Sequence, residues 1–257
     1  MYHFWRTVDR VIHESDILLE VIDARMPNIT RNERVENKIR LKRKFLILVI
    51  NKSDLITRNM RMNFLRNFKS REAVFISCKG RSGVSALKEM IFELAKRRPH
   101  RDYVRVGVIG YPNTGKSSVI NILVGKSAAK TSPIAGLTRG VQWIRGEGNI
   151  MFFDTPGVVP LDDKDETEQA LMSIIDPNKL VNPDLAAMKI IQLFLDYNKS
   201  SLEKFYNVKI ETDDTSEILL EIGEKKNFLG KGGKVDEVRT ALAIIRDWQR
   251  GKLLLKF

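Results

Sequence analysis

Cysteine is almost missing: Cys78 stands alone in 257 residues, which excludes an intramolecular disulfide and any metal site built on paired cysteines. Long hydrophobic runs are missing as well. The longest in the first half, Phe45-Leu46-Ile47-Leu48-Val49-Ile50, falls far short of the ~18 residues that a membrane-spanning helix needs, so no membrane partner is expected. The opening MYHFWRTVDR carries Arg6 and Asp9 where a leader would place its apolar stretch. Neither a signal peptide nor a transit peptide is therefore expected, and a cytoplasmic location follows. No repeat or low-complexity tract is present. What remains, 43% hydrophobic and 30% charged, is the composition of an ordinary soluble globular protein, long enough for one large domain and a small one.

The charge is uneven. Residues 1–160 hold 29 Lys and Arg against 14 Asp and Glu, while residues 161–257 hold 15 against 18. The basic surplus clusters at Lys38–Lys44, along Arg58, Arg61, Arg66, Lys69 and Arg71, and at Lys96–Arg101. A surplus of this size points to a polyanion such as nucleic acid, with a solvated helix face as the plainer alternative.

Short runs rich in Val, Ile and Phe alternate with amphipathic stretches, the pattern of βαβ units and a parallel sheet. Strands are expected over 17–22, 45–50, 73–77, 104–109, 141–144 and 150–153, and helices near 3–14, 33–41, 58–68, 84–97 and 116–124. Beyond Pro160 the strand pattern stops. The acidic Asp162-Asp163-Lys164-Asp165-Glu166 opens a mostly helical region whose last long helix runs from about Val235 to Gln249 and ends at Gly251, a C-cap glycine. The expected domains are 1–160 and 161–257.

Gly110-Tyr111-Pro112-Asn113-Thr114-Gly115-Lys116-Ser117 satisfies G-x-x-x-x-G-K-[ST] between an apolar strand and a helix, the context that this phosphate-binding loop requires. Glycines let backbone amides turn toward phosphates, the helix start adds a positive dipole end, and Lys116 reaches the β- and γ-phosphates. Asn113, Thr114, Gly115, Lys116, Ser117 and Ser118 are the candidate phosphate contacts, with Lys116 also in a catalytic role and the Ser117 hydroxyl on Mg²⁺. Downstream, Asp154-Thr155-Pro156-Gly157 has the form of a Walker-B element, in which the Asp holds Mg²⁺ through water and the Gly157 amide meets the γ-phosphate. Between them, Thr138 is the candidate switch threonine for Mg²⁺ and catalysis; Thr131 and Ser132 compete for that place, and Thr138 could simply begin the next strand.

Asn51-Lys52-Ser53-Asp54 is the N-K-x-D pattern that reads guanine. Its Asp carboxylate accepts from ring N1–H and the exocyclic amine, a pairing adenine cannot offer, while Lys52 lies over the ring and Asn51 ties the loops together. A site built around such hydrogen bonds rejects an analogue lacking them by about 10⁴–10⁵. Ser77-Cys78-Lys79 resembles the S-A-K element whose middle amide binds guanine O6, with Cys78 as a small buried residue in place of Ala. These base elements precede the phosphate elements, the reverse of the ordinary GTPase order, so the chain reads as circularly permuted. Loops on one sheet edge keep their geometry when the chain is cut and rejoined elsewhere. The Asp154–Gly157 loop then leads into the C-terminal region, where nucleotide state could act on it.

These motifs, with Asp23-Ala24-Arg25-Met26-Pro27, Arg31-Asn32, Lys231-Gly232-Gly233-Lys234-Val235-Asp236 and Gly251-Lys252-Leu253, resemble the YlqF/RbgA group of circularly permuted ribosome-assembly GTPases over nearly the whole chain. The resemblance implies an α/β fold: a permuted P-loop GTPase domain with a mainly parallel, doubly wound sheet, and a small helical C-terminal domain contacting rRNA. It also implies hydrolysis of GTP to GDP during maturation of the large ribosomal subunit, by a monomer. Three departures stand out. The chain lacks the W-F-P-G-H-M segment of bacterial members, so His3 inherits no role; Ala135 precedes Gly136 where Pro is usual; and Val158 follows Gly157 where Ras-type enzymes place the water-orienting Gln, a replacement that the group shares. Slow intrinsic turnover, raised by a partner, follows. Asn113 either ligates K⁺, as in potassium-stimulated GTPases with a similar loop, or only braces the P-loop. RNA-contact candidates in the C-terminal region are Lys225, Lys226, Lys231, Lys234, Arg246, Arg250 and Lys252. Two competing readings are a GTP-dependent regulator of a protein partner that binds no RNA, and an assembly chaperone with vestigial hydrolysis.

Overall fold

The computed structural model describes residues 2–67, 73–97, 102–125, 142–154 and 164–255. The chain forms two compact units, Met1–Asp54 with Asn67–Asp162, and Leu55–Arg66 with Asp163–Phe257. Residues 55–66 thus group with the second unit, an excursion that the ranges 1–160 and 161–257 do not contain.

In the first unit the elements run α1 (Tyr2–Glu14), β1 (Ile17–Asp23), α2 (Pro27–Thr30), α3 (Glu33–Leu41) and β2 (Phe45–Asn51), then, after α4 (Arg58–Asn67), β3 (Ala73–Phe75), α5 (Val84–Lys96), β4 (Val104–Ile109), α6 (Lys116–Val124), β5 (Gln142–Arg145) and β6 (Ile150–Asp154). The strands form one sheet in the order β3-β2-β1-β4-β6-β5, parallel except for the antiparallel edge strand β5. β3 stops at Phe75 instead of Ser77; the chain then turns through an isolated bridge between Ser77 and Ser82.

Strands covered on both faces read as continuous apolar runs, and every residue of β1 is buried. Ile17, Leu19 and Val21 point into a core with Leu87, Ile91, Val119, Ile120 and Leu123 of α5 and α6. Alternate residues of β1 face the other way, and Glu20 is among them, 1% exposed. On that side, the buried stripes Val8, Val11 and Ile12 of α1 and Val35 and Ile39 of α3 complete the sandwich.

The second unit carries α7 (Glu166–Leu171), α8 (Pro183–Tyr197), α9 (Lys199–Tyr206), α10 (Thr215–Lys225) and α11 (Glu237–Gln249). Its acids are partly explained by capping: Asp165, Asp214 and Asp236 accept from the first amides of α7, α10 and α11, each such cap contributing about 1 kcal/mol. Trp248 is fully buried, meets Phe194 edge-on at 6.2 Å and donates its indole N–H to the Leu171 carbonyl at 2.9 Å. Gly251 ends α11 at φ +65, with the Lys252 amide reaching back to the Asp247 carbonyl, the C-cap expected of it.

Candidate functional site

β1 and β4 lie side by side at the centre of the sheet, and the chain leaves β1 toward β2 and β4 toward β6. A doubly wound sheet opens its ligand crevice at such a reversal, outside the carboxyl ends of the strands. The loops after β1, β2, β3 and β4 gather there.

The loop after β4 is shaped by two glycines. Gly110 has φ +144, and a Cβ on it would stand 2.4 Å from the Val21 carbonyl oxygen; Gly115 has φ +101, and its Cβ would stand 2.2 Å from Asn51 Nδ2. No side chain fits either place. Between them Asn113 takes φ +61 and is exposed. The buried Lys116 donates from Nζ to the Tyr111 carbonyl at 2.7 Å, and Thr114 Oγ1 donates to the same oxygen at 3.0 Å. Ser117 and Ser118 are exposed in the first turn of α6, where unpaired amides and the helix dipole favour an anion.

Asn51 is the tie between the base and phosphate loops. Buried to 3% exposure, it donates from Nδ2 to the Thr114 carbonyl at 2.9 Å and accepts at Oδ1 from the Cys78 amide at 3.3 Å. Ser77 Oγ donates to Asp54 Oδ1 at 2.6 Å and accepts from the Gly80 amide at 2.8 Å, which aims the carboxylate that would read the base. Cys78 is half-buried, and burial, with the Asp54 charge, pushes its thiol up to about 11. It is a protonated packing residue. Lys79 is exposed.

Two features escaped the sequence reading. Lys52, at φ +62, donates from Nζ to Asp23 Oδ2 at 2.8 Å. That carboxylate, 1% exposed, also takes Arg25 in a fork at 3.1 Å to Oδ1 and 2.8 Å to Oδ2. Burial alone would raise Asp23, but the charges and hydrogen bonds of Arg25 and Lys52 outweigh it and hold the carboxyl well below its usual range. Burial lowers the Lys52 ammonium in spite of the attraction of Asp23. In the sequence, Asp23-Ala24-Arg25 is marked by an acid and a base two residues apart at the end of an apolar strand.

The second feature braces the P-loop from below. The Asn32 amide donates to Glu20 Oε1 at 2.8 Å and its Nδ2 to the hydroxyl of the fully buried Tyr111 at 2.8 Å, while Arg31 pairs with Glu36. Burial, then the charge of Glu36, raises the Glu20 carboxyl well above its usual range, and its Oε2 has no hydrogen-bond partner among the described residues. A lone acid inside an apolar strand was the available sign.

The structure therefore brings Asn51, Lys52, Asp54, Ser77, Cys78, Lys79, Asn113, Thr114, Gly115, Lys116, Ser117 and Ser118 to one sheet edge. Asp154 ends β6 at the same edge. Thr138 and Gly157 lie outside the described residues. Among the described residues no group of three or more His, Cys, Asp or Glu could hold a metal. A Mg²⁺ carried on nucleotide phosphates needs only one or two protein ligands, and the exposed Ser117 hydroxyl beside the phosphate loop is such a donor.

A family model described as a 50S ribosome-binding GTPase matches residues 105–227. A GTP-binding protein of Methanocaldococcus jannaschii is 42% identical over 96% of this chain and 65% of its own length; nucleolar GTP-binding protein 2 of Pneumocystis carinii is 32% identical over 97% and 52%. The chain thus spans about half to two thirds of the length of these relatives. Among solved structures, GDP-bound YlqF of T. maritima superposes with a TM-score of 0.68 at 23% identity, covering 97% of this chain and 96% of that one.

Proposed function

We propose, from the premise that this chain belongs to the YlqF-type family of circularly permuted GTPases, that it binds GTP and hydrolyses it to GDP and phosphate as a switch in assembly of the large ribosomal subunit. The observation that carries the reading is Asn51, one buried amide hydrogen-bonded to the phosphate loop on one side and to the second base loop on the other. A ligand with a purine-like end and a polyphosphate end would use both loops held in one frame.

In this reading Asp54 accepts from the guanine edge, Ser77 fixes its rotamer, and the Cys78 amide lies where the base carbonyl would arrive. The α6 amides and Lys116 hold the β- and γ-phosphates, with Lys116 exchanging the Tyr111 carbonyl for phosphate oxygens. Ser117, Thr138 and Asp154 would hold Mg²⁺, which when bound offsets the charge on the phosphates. Asn113, exposed at the loop's crest, is the residue that would take K⁺. With Val158 in place of a water-orienting Gln, turnover is slow until a partner completes the site. The GTP-state loop at Asp154–Gly157 passes its state to the residues after 160, and the chain works as a cytoplasmic monomer on a precursor of the large subunit and its rRNA.

The test is GTP hydrolysis in KCl and in NaCl, with and without large ribosomal subunits, beside an Asp54→Asn variant assayed with GTP and XTP. We expect subunits to raise turnover and the variant to exchange GTP for XTP, because an amide donor suits the xanthine carbonyl. An intact swap with turnover indifferent to subunits would retain the nucleotide site and transfer the assignment to a protein partner. Absence of the swap would remove the guanine site. Equal rates in the two salts would remove K⁺.

A further inference from the structure

The sheet has a second functional edge. At the amino ends of the strands, opposite the nucleotide loops, the Phe45 amide donates to the Asp16 carbonyl and the Arg105 amide to Asp16 Oδ2 at 3.0 Å. The starts of β1, β2 and β4 are thereby drawn together. The turn between α3 and β2 stands on this edge, anchored by Lys44 Nζ, which donates to the Ser15 carbonyl at 2.7 Å and the His13 carbonyl at 3.2 Å. Between Arg34 and Lys44 the chain carries six cations and one acid. Arg34 and Lys38 are occupied over the Trp5 ring, at 4.1 and 4.8 Å, and Lys38 pairs with Asp9. Arg40, Lys42 and Arg43 are all exposed and form no ion pair among the described residues, Arg40 donating only to Asn37 Oδ1 at 3.2 Å. Arg97, exposed at the end of α5, joins them over the ring of Phe45 at 5.9 Å. Leu41, 82% exposed, sits among the cations, and Tyr103, 45% exposed, stands before β4, two strands or about 10 Å away. The acids Glu14 and Glu93 are paired with Arg10 and Lys96, leaving Asp102 as an exposed acid beside Tyr103.

The conformation of Arg43 sharpens this. It has φ +51, with its amide on the Arg40 carbonyl and the Lys44 amide on the Ile39 carbonyl, a Schellman turn whose left-handed residue is normally Gly or Asn. The same turn holds Gly251 after α11 and Asn227 after α10. A bulky cation sits in a backbone conformation that glycine adopts freely, and such costs gather where a side chain has a task. In the second unit Arg246 donates to Asn178, Lys226 lies over Tyr206 and Lys252 is 4.0 Å from Asp247, while Lys225, Lys231, Lys234 and Arg250 are exposed.

We propose that this amino edge, with Arg40, Lys42, Arg43 and Arg97 on phosphates and Tyr103 beneath a base, is a docking surface for the sugar-phosphate backbone of RNA. The proposal rests on the ribosomal reading above and names the surface that serves it. Exposed cations at one edge with an exposed aromatic fit a nucleic-acid strand. The edge is a strand's length, about 20 Å, from the nucleotide loops, more than twice the ~8 Å screening length at physiological salt. It therefore holds RNA equally in the GDP and GTP states, as an anchor that leaves state-sensing to the other edge.

The test is a Lys42→Gln/Arg43→Gly variant titrated with a labelled single-stranded RNA from 50 to 200 mM KCl. GDP affinity, thermal stability and binding to phosphatidylserine vesicles are measured in parallel. Each lost phosphate contact reduces the slope of log K against log salt by about 0.7 and the affinity at 0.1 M by about fivefold. We expect a slope smaller by about 1.4, a roughly twentyfold loss of RNA affinity, unchanged GDP affinity, and thermal stability held or raised because glycine relieves the left-handed turn. RNA binding by the unaltered protein with the same affinity and slope in the variant overturns the edge and leaves the ribosomal reading standing. No RNA binding by the unaltered protein, or binding to vesicles alone, overturns both.

Discussion

Asp23→Asn should be the most damaging single-atom change near the nucleotide loops. The carboxylate is 1% exposed and holds the 3% exposed Arg25 through two bonds, at 3.1 and 2.8 Å, together with Lys52 at 2.8 Å and the Arg25 amide at 3.0 Å. Breaking one side of a buried pair costs about 3–5 kcal/mol, because the other charge stays buried. Asn preserves the shape and accepts one of the guanidinium bonds, so the lower end, about 3 kcal/mol, applies. For a chain of this size that lowers Tm by roughly 6–12 °C. Since Asp23 is held below its ordinary carboxyl value of 3.8, its contribution is present above that value and fades as pH falls below it. The gap between parent and variant should thus be full at pH 7 and narrow as pH falls below about 4. Lys52, released from its partner, should lose about 1 kcal/mol of nucleotide interaction, a fivefold weaker GDP affinity. Thermal melts across that pH range, with fluorescent GDP titrations at pH 7, check both parts. A Tm loss under about 2 °C at pH 7, or a gap that stays constant into acid, would refute the account of a charge-paired, functionally coupled Asp23.

Two other perturbations probe Glu20 and Cys78. Glu20 is raised above its ordinary range by burial and Glu36, so keeping it charged weakens the fold increasingly as pH rises past that range. Glu20→Gln should match the parent near pH 4.5 and exceed it by about 1–3 kcal/mol at pH 8, measured by urea unfolding; a difference independent of pH would argue against the raised carboxyl. Cys78, pushed up to about 11, should react with a maleimide at pH 7.5 about two orders of magnitude more slowly than an ordinary thiol, and rapid labelling would show that the loop does not bury it.

Much of the site was legible because its chemistry is local. A strand, a glycine-bounded loop and a helix start lie within Val104–Val124, and the backbone of Gly110 and Gly115 admits only glycine. Asn51-Lys52-Ser53-Asp54 follows its own strand in the same way. The inverted order of these segments, read against a sheet whose loops share one edge, was enough to expect a permuted chain, because continuous apolar runs already specify buried parallel strands.

Tertiary structure decided how the segments serve one another. The Asn51 bond to Thr114 spans 63 residues, that of Lys52 to Asp23 spans 29, and that of Asn32 to Tyr111 spans 79. Local propensity contains no information about such pairings, since they arise only when the order β3-β2-β1-β4-β6-β5 sets distant loops side by side. The same limit applies to α4, whose grouping with the second unit follows from packing rather than from its place between β2 and β3. It applies also to Arg43, a routine cation in a basic run until the fold gives it a left-handed backbone on the far edge of the sheet. Local motifs thus marked which residues the candidate site is built from. Contacts across the chain determined which charges are consumed inside the fold and which are left to face a partner, because burial and pairing depend on neighbours that sequence order does not supply.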